Sequence, residues 1–70
     1  MRVVIEAFWD DEAKVWVASS IDDLGLATEA ETIEALQQKL SVMVPDLLQP
    51  DHEGPVEVEL LARNTYTIAA

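Results

Sequence analysis

Two tight groups of carboxylates, Asp10-Asp11-Glu12 and Asp22-Asp23, are the first residues in this 70-residue chain whose types and spacing could do chemistry. A calcium site would need spaced oxygen ligands and a glycine at the bend of a dedicated loop. Asp10, Asp11 and Glu12 have neither, so they could hold Ca²⁺ only loosely and read better as a hairpin turn. His52 stands between Asp51 and Glu53 without a second imidazole or a cysteine, so no ligand pair or catalytic dyad is visible. Ser19 and Ser20 lack the Gly-x-Ser-x-Gly frame of a nucleophile elbow, and no glycine-rich run could cradle a phosphate. Trp9 and Trp16 could stack on bases. Proteins that bind single strands surround such rings with Lys and Arg, however, and this chain has four in total, so both tryptophans are assigned to core or interface. No catalytic residue, metal ligand or cofactor is expected from these residues.

The remaining use for the carboxylates is electrostatic. Fourteen acidic against four basic residues give a formal charge of −10, a field that repels nucleic acid and anionic membranes and attracts a basic protein. Direct nucleic-acid binding is therefore not expected. The tentative partner-binding set is Asp10, Asp11, Glu12, Asp22 and Asp23, which concentrate negative charge at the ends of strands, together with Trp16. Plain turn chemistry is the competing reading for each of the five carboxylates, and acidity also keeps small proteins soluble. The absence of cysteine excludes disulfides and thiolate metal sites and fits a reducing cytosol. The start of the chain has no basic region followed by an apolar run of signal-peptide length, and no window reaches the ~18 apolar residues of a membrane span. A cytoplasmic protein is the expectation.

These residues need elements to hold them, and the organising one is the amphipathic stretch Thr28 to Leu48. Within it Ile33, Leu36, Leu40, Met43 and Leu47 recur at steps of three and four, the one-stripe pattern of a helix half sunk in a core. Thr32 is placed as its N-cap, with Thr28 and Glu31 offering a competing capping box one turn earlier. Pro45 lacks an N–H and restrains Val44, so the helix is expected to end or kink there, with a short extra turn through Asp46, Leu47 and Leu48. Before the helix, Arg2 to Trp9 and Lys14 to Ser19 are apolar, β-branched runs separated by about four turn residues, which predicts a hairpin. Leu26 to Glu29 is a short third strand. After the helix, Gln49 to Pro55 is a loop by its prolines and glycine, and Val56 to Arg63 alternates apolar and polar as a half-buried fourth strand. Asn64 to Ala70 has strand-like composition with little to hold it, and is either a frayed end or an extension that pairs with another chain.

The order β-β-β-α-β with hairpin connections and a right-handed crossover gives a single α+β domain over residues 1–70. Its mixed four-stranded sheet has order 3-2-1-4, with the helix on one face. The other face stays open, carrying residues such as Phe8 and Trp16 or their neighbours, and is a docking surface as readily as a solvated one. Seventy residues make a small core, so a homodimer or higher homo-oligomer is expected through the open face or an edge strand.

Several short segments carry a family resemblance. The run Val15-Trp16-Val17-Ala18, Asp22, Gly25-Leu26, Thr28-Glu29-Ala30 with Thr32, Lys39-Leu40 and Pro45-Asp46-Leu47-Leu48 resembles the short HicB-like family of uncharacterised bacterial proteins. That family is similar to the N-terminal half of HicB antitoxins. The resemblance implies a truncated RNase H-like fold and a non-enzymatic, antitoxin-like protein that neutralises a small basic mRNA-cleaving toxin of the HicA type. The alternative is an orphan homo-oligomeric binding or structural module with no toxin partner. Leu24 departs from the family, which usually places Pro before the loop glycine, and the chain stops at Ala70 without the DNA-binding extension of full HicB antitoxins, so the resemblance does not carry over operator binding and autoregulation. An RNase H-type nuclease would need carboxylates converging on two metal ions. Strand one offers Glu6 and the helix Glu34, but strand four ends in Arg63 and Asn64, so the set is incomplete and no enzyme activity is expected.

Overall fold

A computed structural model of the protein describes residues 1–22, 24–48 and 54–69. Strands β1 (Arg2–Asp10), β2 (Val15–Ser20) and β3 (Ala27–Ala30) precede one helix, α1 (Ile33–Leu48), and β4 (Glu57–Arg63) follows it. The sheet order is β3-β2-β1-β4. β1 pairs antiparallel with β2 and parallel with β4, so the sheet is mixed as the connection rules require. The strand boundaries expected from sequence hold to within one residue at each end.

The β1–β2 hairpin closes through a bond from the Lys14 N–H to the Asp10 carbonyl at 2.8 Å, with Lys14 at φ 58°. One Asp10 carboxylate oxygen accepts the N–H groups of Glu12 and Ala13 at 3.0 and 3.2 Å, the local geometry for which turns select Asp. At the next corner the Asp22 carboxylate accepts the Leu24 N–H at 3.0 Å, and Gly25 takes φ 74°. The Leu26 N–H reaches the Ser20 hydroxyl and the Ser20 N–H the Leu26 carbonyl, at 3.1 and 3.0 Å, which carries the chain from β2 into β3. Gly25 is required there because a side chain is strained at that φ.

Thr32 caps the helix as expected, its hydroxyl accepting the Ala35 N–H at 3.0 Å while its carbonyl accepts that of Leu36. One expectation about α1 is narrowed and one needs correction. Of an end or a kink at Pro45, the helix does not end there but runs on through Asp46 and Leu47 to Leu48, because one missing N–H near a C-terminus costs a single intrahelical bond and Val44 gains full burial by staying helical. The buried stripe is Leu36, Leu40 and Val44, with Ile33 and Met43 at its flanks. Leu47 is exposed although seven residues return it to within ~20° of Leu40, so the buried stripe ends at Val44 and does not reach the last turn of the helix.

The core lies between α1 and the alternate residues Val3, Ile5 and Ala7 of β1, joined by Ala18, Leu26 and Ala30. Ala30 is the small buried residue where the helix comes close to β3, and there the Lys39 ammonium donates to the Glu29 backbone carbonyl. β4 is left uncovered. None of its residues is fully buried, although it pairs with β1 along its whole length. The molecule measures 51 × 18 × 17 Å, elongated by β4 and the exposed segment 64–69 that continues it. The expected loop Gln49 to Pro55 lies outside the described residues as far as Glu53.

Candidate functional site

Strand alternation divides the sheet into two surfaces. Val3, Ile5, Ala7 and Trp9 point to the helix; Val4, Glu6, Phe8 and Asp10 point away from it. Registers extend this second set across the sheet. Phe8 lies opposite Val17 on β2 and Arg63 on β4, and Val17 lies opposite Glu29 on β3, giving the row Glu29, Val17, Phe8, Arg63. The adjacent row is Ala27, Ser19, Glu6, Leu61, and Val4 beside Glu59 follows it.

The open face therefore has an apolar centre with a charged surround. Phe8, Val17 and Leu61 are 46, 45 and 38% exposed, values that place large apolar side chains in water beside one another. Around them stand Glu6, Asp10, Glu29, Glu57 and Glu59 against Arg2 and Arg63. Five carboxylates and two guanidinium groups leave this face at −3. Arg2 lies 3.3 Å from a Glu57 oxygen and 3.6 Å from Glu59, pairs exposed enough that water screens them.

Of the expected partner-binding residues, only Asp10 lies on this face, at its hairpin end. Asp10 and Asp22 spend carboxylate oxygens on turn N–H groups. Asp11 accepts the Lys14 ammonium at 2.8 Å and the Trp9 indole N–H at 3.4 Å, and the Lys14 hydrogen bond above all holds its carboxyl below the usual range. Glu12 is exposed at the tip of the hairpin, and Asp23 lies outside the described residues. Trp16 and Phe8 do not share a face, because Trp16 pairs with Trp9 and alternation turns both toward the helix. There the rings meet edge to face with centroids 5.5 Å apart, next to Ile33 and Thr32 at the start of α1. Trp16 is half-buried against the core and not on the open surface.

Glu6 and Glu34 lie on opposite sides of the sheet, so the two carboxylates considered for metal-assisted hydrolysis do not converge. Among the described residues no three His, Cys, Asp or Glu side chains are grouped to hold a metal ion, and no helix is long and apolar enough to cross a membrane. His52, Asp51 and Glu53 lie outside the described residues. In the sequence the acids at positions 29, 57 and 59 each read singly as a polar interruption of a strand, and Glu6 as a lone carboxylate of strand one. Only the register puts them on one surface.

A family profile described as a domain of unknown function (DUF1902) matches residues 2–68. The chain belongs to the DUF1902 family. Among solved structures, the crystal structure of hypothetical protein TTHA1013 from the extremely thermophilic bacterium Thermus thermophilus is similar, at 48% sequence identity and a TM-score of 0.78, over 97% of this chain and 100% of that one. No curated protein matches the chain. The DUF1902 match covers all four strands and the helix, so the open face is a feature of the matched domain and not of an appended segment.

Proposed function

We propose that this DUF1902 protein is a non-catalytic binding module whose open sheet face docks a small basic protein, in the manner of the HicB-like antitoxins that its Gly25-Leu26-x-Thr28-Glu29-Ala30 segment resembles. The observation that carries the reading is the composition of that face. Phe8, Val17 and Leu61 supply area that gains by being covered, and the net negative surround selects a basic partner and speeds its approach. The −10 charge of the whole chain acts in the same direction. A HicA-type toxin is the chemistry this fits, since an mRNA-cleaving protein must carry positive charge to bind its substrate and exposes that charge to an acidic competitor. The protein is assigned to the cytoplasm on this reading, where such a target would act.

The test looks for a small basic protein encoded beside this chain in its host, whose absence favours the orphan module, and co-expresses the two. The wild type relieves growth arrest caused by the neighbour, and the variant Phe8→Ser/Val17→Ser/Glu29→Lys does not. All three substitutions are at exposed positions, so the fold survives them, as circular dichroism checks. A harmless neighbour, or relief by the triple variant equal to wild type, removes the antitoxin-like reading and leaves an orphan homo-oligomeric module, which the uncovered edge of β4 favours.

A further inference from the structure

The surface around β4 is unfinished in three ways that correspond to one another. First, among the described residues β4 is an edge strand with β1 as its only neighbour. The Glu57 N–H donates to the Met1 carbonyl at 2.8 Å, so odd-numbered residues of β4 turn their peptide groups to β1, and Val58, Leu60 and Ala62 turn theirs to the free edge. Second, α1 stops short of β4, leaving a groove of about 430 Å³ between Leu40, Val44 and Pro45 on one wall and Val56, Val58 and Leu60 on the other. Third, the segment 64–69 runs on past the hairpin with Tyr66 and Ile68 at 73 and 76% exposure, the most exposed large apolar side chains here.

We infer that the missing occupant is a second copy of this chain, whose 64–68 arm adds antiparallel to the free edge of β4 while the reciprocal arm does the same. Continuing the alternation of β4 puts Asn64, Tyr66 and Ile68 in step with Val58, Leu60 and Ala62, with the same outward peptide groups and side chains on the helix side. An antiparallel pairing of even residue with even residue then joins every outward N–H and C=O and delivers the arm's large side chains to the groove side of the sheet. A two-fold axis at Ala62 sets the register. It faces the smallest of these side chains with its own copy, Tyr66 with Val58, and Ile68 with Val56, both on the groove wall.

Charge supports that register. Arg63 makes no ion pair among the described residues, and on the opposite surface each Arg63 becomes the diagonal neighbour of Glu59 of the second copy, two attractive contacts against the single repulsion between the two Arg63 groups. The positions that approach on the groove side are uncharged, so two chains of charge −10 meet there without a carboxylate between them. Area is also sufficient. A buried aromatic ring covers ~150–250 Å². With Ile68, the arm backbone and the groove wall, each copy approaches the roughly 800 Å² of a standard interface. The apolar centres of the two open faces stay uncovered, and the two sheets become one continuous sheet.

The experiment uses the full chain. Light scattering at tens of micromolar gives twice the 7.8 kDa chain mass for wild type, and Tyr66→Ser/Ile68→Ser, both in the exposed arm, weakens dimerisation at least tenfold without loss of circular dichroism. Cysteine cross-linking reads the register independently, since the chain has no cysteine of its own. Ala62→Cys lies about 5.5 Å from its mate across the axis and oxidises to a covalent dimer. Val58→Cys lies eight strand residues, roughly 27 Å, from its mate and does not, whereas Val58→Cys/Tyr66→Cys links the copies. A monomeric wild type, a double-serine variant that dimerises as well as wild type, or an Ala62→Cys chain that cross-links no better than Val58→Cys overturns the inference. None of these outcomes depends on a basic partner.

Discussion

Leu36 has no exposed surface and belongs to the buried helix stripe, in the same core cluster as Val3 and Ile5 of β1 and Leu40. Leu36→Ala removes about three methylene equivalents, at ~0.8 kcal/mol each, or ~2.4 kcal/mol of transfer free energy. The space left adds a cavity term, since the neighbours are held by a sheet on one side and their own helix on the other, and the total falls at about 3–5 kcal/mol. A 70-residue domain has roughly 3.5–10 kcal/mol in all. Urea unfolding followed by the fluorescence of Trp9 and Trp16, both half-buried, reads the change at fixed protein concentration. With a slope near ~1 kcal/mol/M, the midpoint drops by several molar, and the variant is partly unfolded without denaturant. Leu47→Ala is the control: at 45% exposure it costs under ~1 kcal/mol. A Leu36→Ala midpoint within experimental error of wild type, or equal costs at 36 and 47, would refute the placement of the core.

Thr32→Ala removes the helix cap bonded to the Ala35 N–H and lowers stability by about 1 kcal/mol in the same melts, while Thr32→Asp retains it. Lys14 holds φ 58°, so Lys14→Val places a β-branched residue where the backbone disfavours it and costs ~1–2 kcal/mol, with Lys14→Gly close to wild type. The Asp11 carboxyl is depressed by its hydrogen bond from Lys14, so it favours the folded hairpin above the ordinary carboxylate range and ceases to do so as pH falls through its lower folded value. Wild type and Asp11→Asn therefore differ in stability at neutral pH and converge in acid once pH has fallen through the depressed carboxyl, which acid melts of the two chains compare.

The fold could be read from the chain because its signals were local and agreed with one another. Leu36 and Leu40 kept helical spacing, Asp10 to Ala13 broke two β-branched runs, and Thr32 marked a helix start with one hydroxyl. Handedness then left one sheet order. Pro45 left an end or a kink open because a rule about backbone donors was set against the burial of Val44, and burial prevailed. The candidate surface was less legible. Which face holds Phe8 and which Trp16 depends on pairing Phe8 with Val17, and the shared surface of Glu6, Glu29 and Glu59 depends on three ladders at once. Turn carboxylates such as Asp10 and Asp22 stood out in sequence for the same reason that they are spent locally, on the N–H groups two or three residues along.

The most direct measurement is calorimetric titration of the purified chain with a small basic protein found encoded beside it, at low and at high salt, for wild type, Phe8→Ser/Val17→Ser/Glu29→Lys and Asp11→Asn/Glu12→Gln. Docking on the open face predicts tight binding by wild type that weakens as salt rises, loss of at least tenfold in the first variant, and much smaller loss in the second. Binding that is indifferent to salt, or that survives the first variant and disappears in the second, would contradict the assignment of the open sheet face as the docking surface.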